Sequence, residues 1–416
     1  MRRGTLRTPT WTLAAFGLAV ALTGVACGSS EDPNTTGNPP VGTDPNAPPT
    51  PAATQTPDEQ IKQILDARKA DYGEALRTAS LKLRDALPSL DEIKQIEAGA
   101  DDAAKKAAYE KLVDAMLADP KFSTVMVKFF KDTFRTGQVG AVQANMPNKD
   151  TAANFAAQVV VEGRSYKELF TATADTCPTY DPATSAFTPA TCAAGPAGGA
   201  TVGVLTDPGL QSQYFANMAF RRARFIQETF ACSKFPSEAK TGVPMGNGSY
   251  TNPRSFDDIT GKKNTPTARI DFQDTSAVIC ANCHGSLNTA ATLFLNYDDK
   301  GLLQAASQVE VPIPGTPKAA LTDYMPAGKQ VFAWRIDKPV TDLTGYGAAM
   351  AADPEVGRCA VNRIWNYALS RGDIVNDLAT IPVPVTDALA KDFNANGQKL
   401  KETIRVVFKS EDFVKF

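Results

Sequence analysis

A single histidine in 416 residues closes the run Cys280-Ala281-Asn282-Cys283-His284, and this cluster constrains the chain more than any other feature. The C-x-x-C-H spacing sets two thiols about one helical turn apart, where both reach the vinyl groups along one porphyrin edge. The imidazole that follows then points under the iron as proximal ligand. The cluster therefore predicts one haem c, bound through Cys280, Cys283 and His284, and a fold that packs helices around that segment. Three other readings of the cluster compete. A thioredoxin-like redox pair wants a βαβ setting, and none is visible. A structural zinc site wants four nitrogen or sulfur ligands, and this cluster supplies three. Taking the fourth from Cys232 or Cys359 would strand another thiol. The plainest alternative is a disulfide between Cys280 and Cys283.

With one histidine, bis-histidine ligation within the chain is excluded. The sixth iron position falls to methionine, another weak donor, water or nothing. Met325 in "DYMPAGKQ" is the first candidate, 41 residues after His284 and beside Pro326. This arrangement resembles class I cytochromes c, in which a distal methionine beside a proline follows the haem motif at a comparable distance. Met350 in "GYGAAMAAD" is the second candidate.

The N-terminus sets the compartment. Arg2, Arg3 and Arg7 precede an apolar run from Leu13 to Leu22 and small residues up to Cys27. That is the layout of an export signal over residues 1–26, with an apolar run too short to span a bilayer. A cysteine directly after "GVA" resembles the bacterial lipoprotein signal, in which that cysteine is acylated, although Gly24 stands where that signal carries a leucine-like residue. Residues 27–57 carry many prolines and almost no large apolar side chain. They cannot bury enough surface to offset ordering entropy, so they read as a disordered tether behind lipidated Cys27. These features predict a protein held in the periplasm or at the cell surface, touching a bacterial membrane through its lipid anchor only.

The formal net charge is −2, and loss of the three signal arginines takes it to −5. No basic patch stands out, so a nucleic-acid partner has no support. No second apolar run approaches the length of a membrane span.

Past the tether the dominant pattern is helical. Tyr109, Leu112, Val113, Met116 and Leu117 fall on one helical face. Phe122, Val125, Met126, Phe129 and Phe130 repeat the spacing after a break at Asp119-Pro120. Ser89 followed by Glu92 is a capping-box signature for a helix start after Pro88. Residues 173–203 shift to Thr, Pro, Ala and Gly and read as a surface excursion. Helical spacing returns in "YFANMAFRRARFIQETFACSKFP", where Phe215, Met218, Ala219, Ile226 and Phe230 share a face. Gly242 to Pro266 is turn-rich and polar, and the C-terminus is helical again. No strand alternation is sustained. The fold class is mainly α: multi-helix modules around a c-type haem segment, with long irregular loops.

Seven cysteines less Cys27 and the two haem thiols leave Cys177, Cys192, Cys232 and Cys359. An even remainder in an exported chain points to two disulfides, with three possible connectivities. Cys177–Cys192 and Cys232–Cys359 are favoured: the first closes the 173–203 excursion, the second ties distant helical regions.

Several phrases in fixed order resemble the planctomycete-type cytochrome c-like exported proteins, whose modules are mostly of unknown function. "ALRTASLKLRDALPSLDEIKQI" looks like their N-terminal helical module, and "GRSYKELFTA" and "VGVLTDPG" look like the phrases that follow it. "FRRARFIQETFACSKFP" with "CANCHGSLNTAATLFLNYDDKG" looks like the haem-bearing module, a C-x-x-C-H, a short helix and an aromatic-Asp-Gly turn. "CAVNRIWNYALSRG" and "LKETIRVVFKSEDF" are similar to the terminal module. The resemblance implies a monohaem, cytochrome-like protein of the cell envelope, and it implies no substrate. Taken with the N-terminal signal, the first functional expectation is a lipoprotein that exchanges electrons with a redox partner protein. The expected organisation is a helical module over 58–172, the disulfide-closed loop over 173–203, a haem-bearing module over 204–350 and a C-terminal helical module over 351–416. The alternative is a haem enzyme of peroxidase or oxygenase type with an open sixth site. Such an enzyme would need a carboxylate where peroxidases use a distal histidine as base.

Overall fold

The computed structural model describes residues 56–216, 219–234, 287, 289–306, 310–311, 319–320, 332–335 and 338–416. The chain divides into two units, Met1–Gln63 and Ile64–Phe416. Of the first, only the opening turns of helix α1 (Pro57–Ala67) are described. The second is mainly helical, as the spacing predicts.

Helix α2 (Tyr72–Arg84) starts at Asp71, whose Oδ1 accepts the Gly73 and Glu74 amides at 2.9 and 3.0 Å. Helix α3 (Leu90–Glu97) starts where Ser89 and Glu92 predict. Ser89 Oγ accepts the Glu92 amide at 3.3 Å, and Glu92 Oε2 accepts the Ser89 amide at 2.7 Å. The same carboxylate takes Arg84 Nη2 at 2.6 Å, joining the end of α2 to the start of α3. That bond to Arg84 holds the Glu92 carboxyl below its usual range. Ser89→Ala removes one half of the box and should lower stability by about 1 kcal/mol in a urea titration.

Helices α4 (Asp102–Ala118) and α5 (Lys121–Phe134) flank the break at Asp119-Pro120, where proline cannot donate to the preceding turn. Both predicted stripes are buried, except that Phe129 is half-buried and sits edge-on to Tyr367 with ring centroids 5.2 Å apart. Helix α6 (Thr151–Val161) is buried on every side from Thr151 to Val160. It packs on α5, α7 (Glu168–Thr171) and α8 (Pro208–Gln213) at the centre of the unit. Helix α9 (Phe220–Ala231) follows, and its register differs from the sequence expectation. Ala219 adopts a left-handed conformation (φ 53°), so the helix begins only at Phe220. Ala219, Ile226 and Phe230 are buried as predicted, but Phe215 lies upstream of the helix, and Met218 lies outside the described residues.

The C-terminal helices are α10 (Leu343–Ala352), α11 (Pro354–Ala368), α12 (Val383–Ala395), α13 (Leu400–Lys409) and α14 (Glu411–Val414). Helix α13 buries Leu400, Ile404, Val407 and Phe408, and it packs on α4, whose Tyr109 hydroxyl donates to the Phe408 carbonyl at 2.6 Å. The tail then pairs with the segment before α2. Lys69 and Phe416 exchange amide-to-carbonyl bonds of 3.2 and 3.0 Å, and the Asp71 amide reaches the Val414 carbonyl at 2.9 Å. One hydrophobic core therefore takes side chains from Tyr72 through Val414.

Strand content is confined to three two-residue or three-residue antiparallel pairs among the described residues. They are β1 (Thr179–Asp181) with β2 (Ala186–Thr188), β3 (Glu310–Val311) with β4 (Ala319–Ala320), and β5 (Phe332–Ala333) with β6 (Pro339–Val340). The first pair lies inside the 173–203 excursion, and its Tyr180 and Phe187 rings meet at 4.9 Å.

Candidate functional site

Cys280, Cys283, His284, Met325 and Cys27 lie outside the described residues. The described chain resumes on the C-terminal flank of the motif, at Leu287 and from Thr289, and what holds that flank is well defined. Its centre is Arg222 on α9, only 1% exposed. Among the described residues no carboxylate pairs with this guanidinium; its donors go to backbone carbonyls. Nε and Nη2 donate to Gln211 O at 3.0 and 2.8 Å, and Nη1 donates to Phe294 O and Tyr297 O, both at 2.9 Å. Nη2 also donates to Asp298 O at 2.9 Å. Its plane lies over the Phe215 and Tyr297 rings, 5.3 and 5.9 Å from their centroids. Burial lowers its pKa to about 10, against the pull of Tyr297 and Asp298. One side chain thus ties α8 and α9 to the flank that leaves the motif.

The flank ends in the predicted aromatic-Asp-Gly turn. Asp298 Oδ1 accepts the Lys300 and Leu302 amides at 2.9 and 2.8 Å, and Oδ2 takes Gln304 Nε2 at 2.7 Å. Gly301 is required at its position: φ is +72°, and a Cβ there would meet the Pro208 carbonyl oxygen at 2.1 Å. The turn is thereby seated on the start of α8.

Leu287, Ala290, Ala291 and Phe294 of the flank are buried. Phe294 meets Tyr346 of α10 edge-on at 6.1 Å, and Tyr346 meets Trp334 edge-on at 5.4 Å. Trp334 is fixed by Nε1 donating to Asp353 Oδ2 at 2.8 Å and by its carbonyl accepting Gln227 Nε2 at 3.1 Å. The Tyr346 hydroxyl is fully buried, with the Gln227 side chain beside it but no well-formed hydrogen bond among the described residues, and burial raises its pKa well above the usual phenol value. Met350, the second candidate ligand, is fully buried one turn further along α10. An apolar wall of aromatic rings beside a sequence that supplies one nitrogen and two sulfur donors has the chemistry a haem segment needs.

Both favoured disulfides are formed, Cys177–Cys192 with Cα atoms 5.0 Å apart and Cys232–Cys359 at 5.5 Å. The second ties the C-cap of α9 to α11. Beside it, Arg363 donates to the Thr229 and Glu228 carbonyls and pairs with Asp373 at 3.1 Å. Helix α9 is therefore anchored by Arg222 near one end and by Cys232 and Arg363 at the other.

Cys177, Cys192 and Asp207 bring three donor atoms within 4.8 Å of one another, but the sulfurs are bonded to each other and offer no thiolate to an ion. Asp207 is fully buried, lies 3.3 Å from Cys177 Sγ and accepts the Leu210 amide at 2.8 Å as the cap of α8. Burial pushes its carboxyl up to about 6 from 3.8. Between those values the folded chain keeps a proton that the unfolded chain has released, so this group makes stability fall as pH rises through that window. Asp207→Asn should remove that slope, which amounts to about 2–3 kcal/mol, in urea titrations compared at pH 4 and pH 7.

Sequence reading singled out neither Arg222 nor Tyr346. A signal for Arg222 existed: it sits four residues before Ile226 and eight before Phe230, on the buried stripe. Tyr346 carried none, because α10 is nearly all small or apolar.

The family model PSCyt2, described as a protein of unknown function (DUF1549), matches residues 58–187, under half of the chain and ending well before the C-x-x-C-H run. The match is to a planctomycete-type cytochrome c-like family. No curated protein and no solved structure matches the chain. Among the described residues no helix is long and apolar enough to cross a membrane.

Proposed function

We propose that this chain is a monohaem c-type cytochrome-like lipoprotein of the cell envelope that transfers electrons. One observation carries the reading: the sole histidine completes C-x-x-C-H in a chain whose first 26 residues have the layout of an export signal. Bound there, haem would supply a one-electron iron couple whose potential follows its axial ligands and burial. Cys280 and Cys283 would hold it covalently, with His284 as proximal ligand and Met325 as distal ligand. The outgoing flank, locked by Arg222 and walled by Phe294, Tyr346 and Trp334, supports the reading, since a rigid apolar surround suits electron transfer. Acylated Cys27 and the tether behind it would hold the folded unit at the membrane in the periplasm or at the cell surface, where a redox partner protein docks.

Expression with a cytochrome-maturation system, followed by a haem stain of a denaturing gel, tests attachment; an unstained full-length band overturns it. Intact-mass measurement of the membrane-extracted chain should show a diacylglyceryl-modified Cys27, whereas a soluble form cleaved elsewhere rules the anchor out. Met325→Ala should lower the potential, convert the haem to high spin and abolish the weak methionine-to-iron band at the red end of the ferric spectrum. If that band persists, Met350 is the residue to change next. If the wild type lacks the band and binds carbon monoxide rapidly, the sixth site is open and the enzyme reading replaces this one.

A further inference from the structure

A cleft of about 350 Å³ opens between the C-terminus of α5, the α8–α9 junction and α11. Four arginines line it: Arg135, Arg221, Arg224 and Arg363. Two of them are balanced, Arg224 by Glu228 at 2.8 Å and Arg363 by Asp373 at 3.1 Å. Arg135 and Arg221 have no carboxylate partner among the described residues. In a chain of net charge −2, two unbalanced guanidiniums facing one concavity need an explanation.

The explanation starts from how they are placed. Arg135 caps α5 in a left-handed conformation, φ 49°, which costs a side-chain-bearing residue roughly 1 kcal/mol. That backbone is pinned from α8. The Tyr214 hydroxyl donates to the Phe134 carbonyl at 2.7 Å, and Gln213 Nε2 donates to the Arg135 carbonyl at 3.3 Å. Tyr214 stacks on Phe225 at 4.1 Å, and the Arg221 guanidinium lies over the Tyr214 ring, 5.9 Å from its centroid. Tyr214 therefore sits beside both cations. Both also bear on its phenol, opposing the burial that pushes its pKa up to about 12. Two cations beside a stacked aromatic base match an oxyanion that accepts forked N–H donors, and the volume suits a small ligand.

We propose that this cleft binds a compact polyvalent oxyanion, a phosphate ester or a polycarboxylate. The site is independent of the haem reading, and its test needs no haem. Titration calorimetry on the full-length chain, at low and at physiological ionic strength, would use inorganic phosphate, glycerol phosphate and citrate as probes. Saturable one-to-one binding by at least one probe is expected, and the preference between phosphates and citrate tells the two sources apart. Arg135→Ala and Arg221→Ala should each weaken binding by about tenfold or more. Arg405→Ala, a surface arginine paired with Asp114 elsewhere, should leave it unchanged. Circular dichroism confirms that the variants fold, and Arg135→Gln gives a second uncharged variant with a longer side chain. Three results overturn the proposal: no saturable binding, binding unaltered in the Arg135→Ala/Arg221→Ala double variant, or binding of poly-glutamate without affinity for any small probe.

Discussion

Arg222→Ala is expected to lower the stability of the folded unit by about 4 kcal/mol, the largest effect of any single side chain considered for this protein. The guanidinium serves four backbone carbonyls, Gln211, Phe294, Tyr297 and Asp298, in a site closed to solvent. A buried acceptor left without its donor costs about 1–3 kcal/mol. Water entering the space left behind recovers part of that. The alanine also no longer has to keep a charge out of water, which recovers more. Arg222→Lys keeps the charge but offers three donors from one point, so it cannot span α8 and the flank together and should recover less than half of the loss. Urea titration gives the magnitude, and hydrogen exchange gives the place. The Asp298 and Gln304 amides, bonded to Leu302 O at 3.0 Å and Asn296 O at 2.8 Å, should become the first of the flank to exchange. A loss under about 1 kcal/mol in the alanine variant, with those amides still protected, would show that the flank is held by its apolar contacts alone.

How much of this was legible beforehand depends on the kind of signal. Helices α4 and α5 each bury one face against solvent on the other, so their stripes have the period of a helix and were readable. The Ser89–Glu92 box is local, and its meaning survives without any tertiary context. Counting thiols left two disulfides with three connectivities, and the position of Cys177 and Cys192 at the base of the 173–203 excursion favoured the pairing that is formed. Helix α6 was not marked out, because a helix buried on all sides shows no periodicity to read. The start of α9 was misplaced upstream because Ala219 gives no sequence warning of a left-handed turn. The frame of the candidate site was illegible for a different reason. Arg222, Phe294 and Tyr346 meet only after folding, across sequence separations of 72 and 52 residues, and no local rule links them. The pairing of the tail with residues 69–71 is equally non-local.

The two disulfides should differ in a way that separates chain entropy from native anchoring. Cys232–Cys359 spans 127 residues of sequence and Cys177–Cys192 spans 15. Loop-closure entropy alone assigns them roughly 5 and 3 kcal/mol. Cys177→Ser/Cys192→Ser should therefore cost about 3 kcal/mol, and limited proteolysis should show the damage confined to the 178–191 hairpin loop. Cys232→Ser/Cys359→Ser should cost about 5 kcal/mol and loosen the C-terminal end of α9, since Cys232 caps that helix in a left-handed conformation (φ 53°). Arg363 holds the same junction through the Thr229 and Glu228 carbonyls, so it and the disulfide are partly redundant in the native state. A double-mutant cycle between Cys232→Ser/Cys359→Ser and Arg363→Met resolves the question. If the disulfide acts on the unfolded chain, the two losses add within about 0.5 kcal/mol. If instead it acts by fixing α9 to α11, removing both costs at least about 1 kcal/mol more than the sum, because nothing described then holds the C-terminal end of α9 to α11.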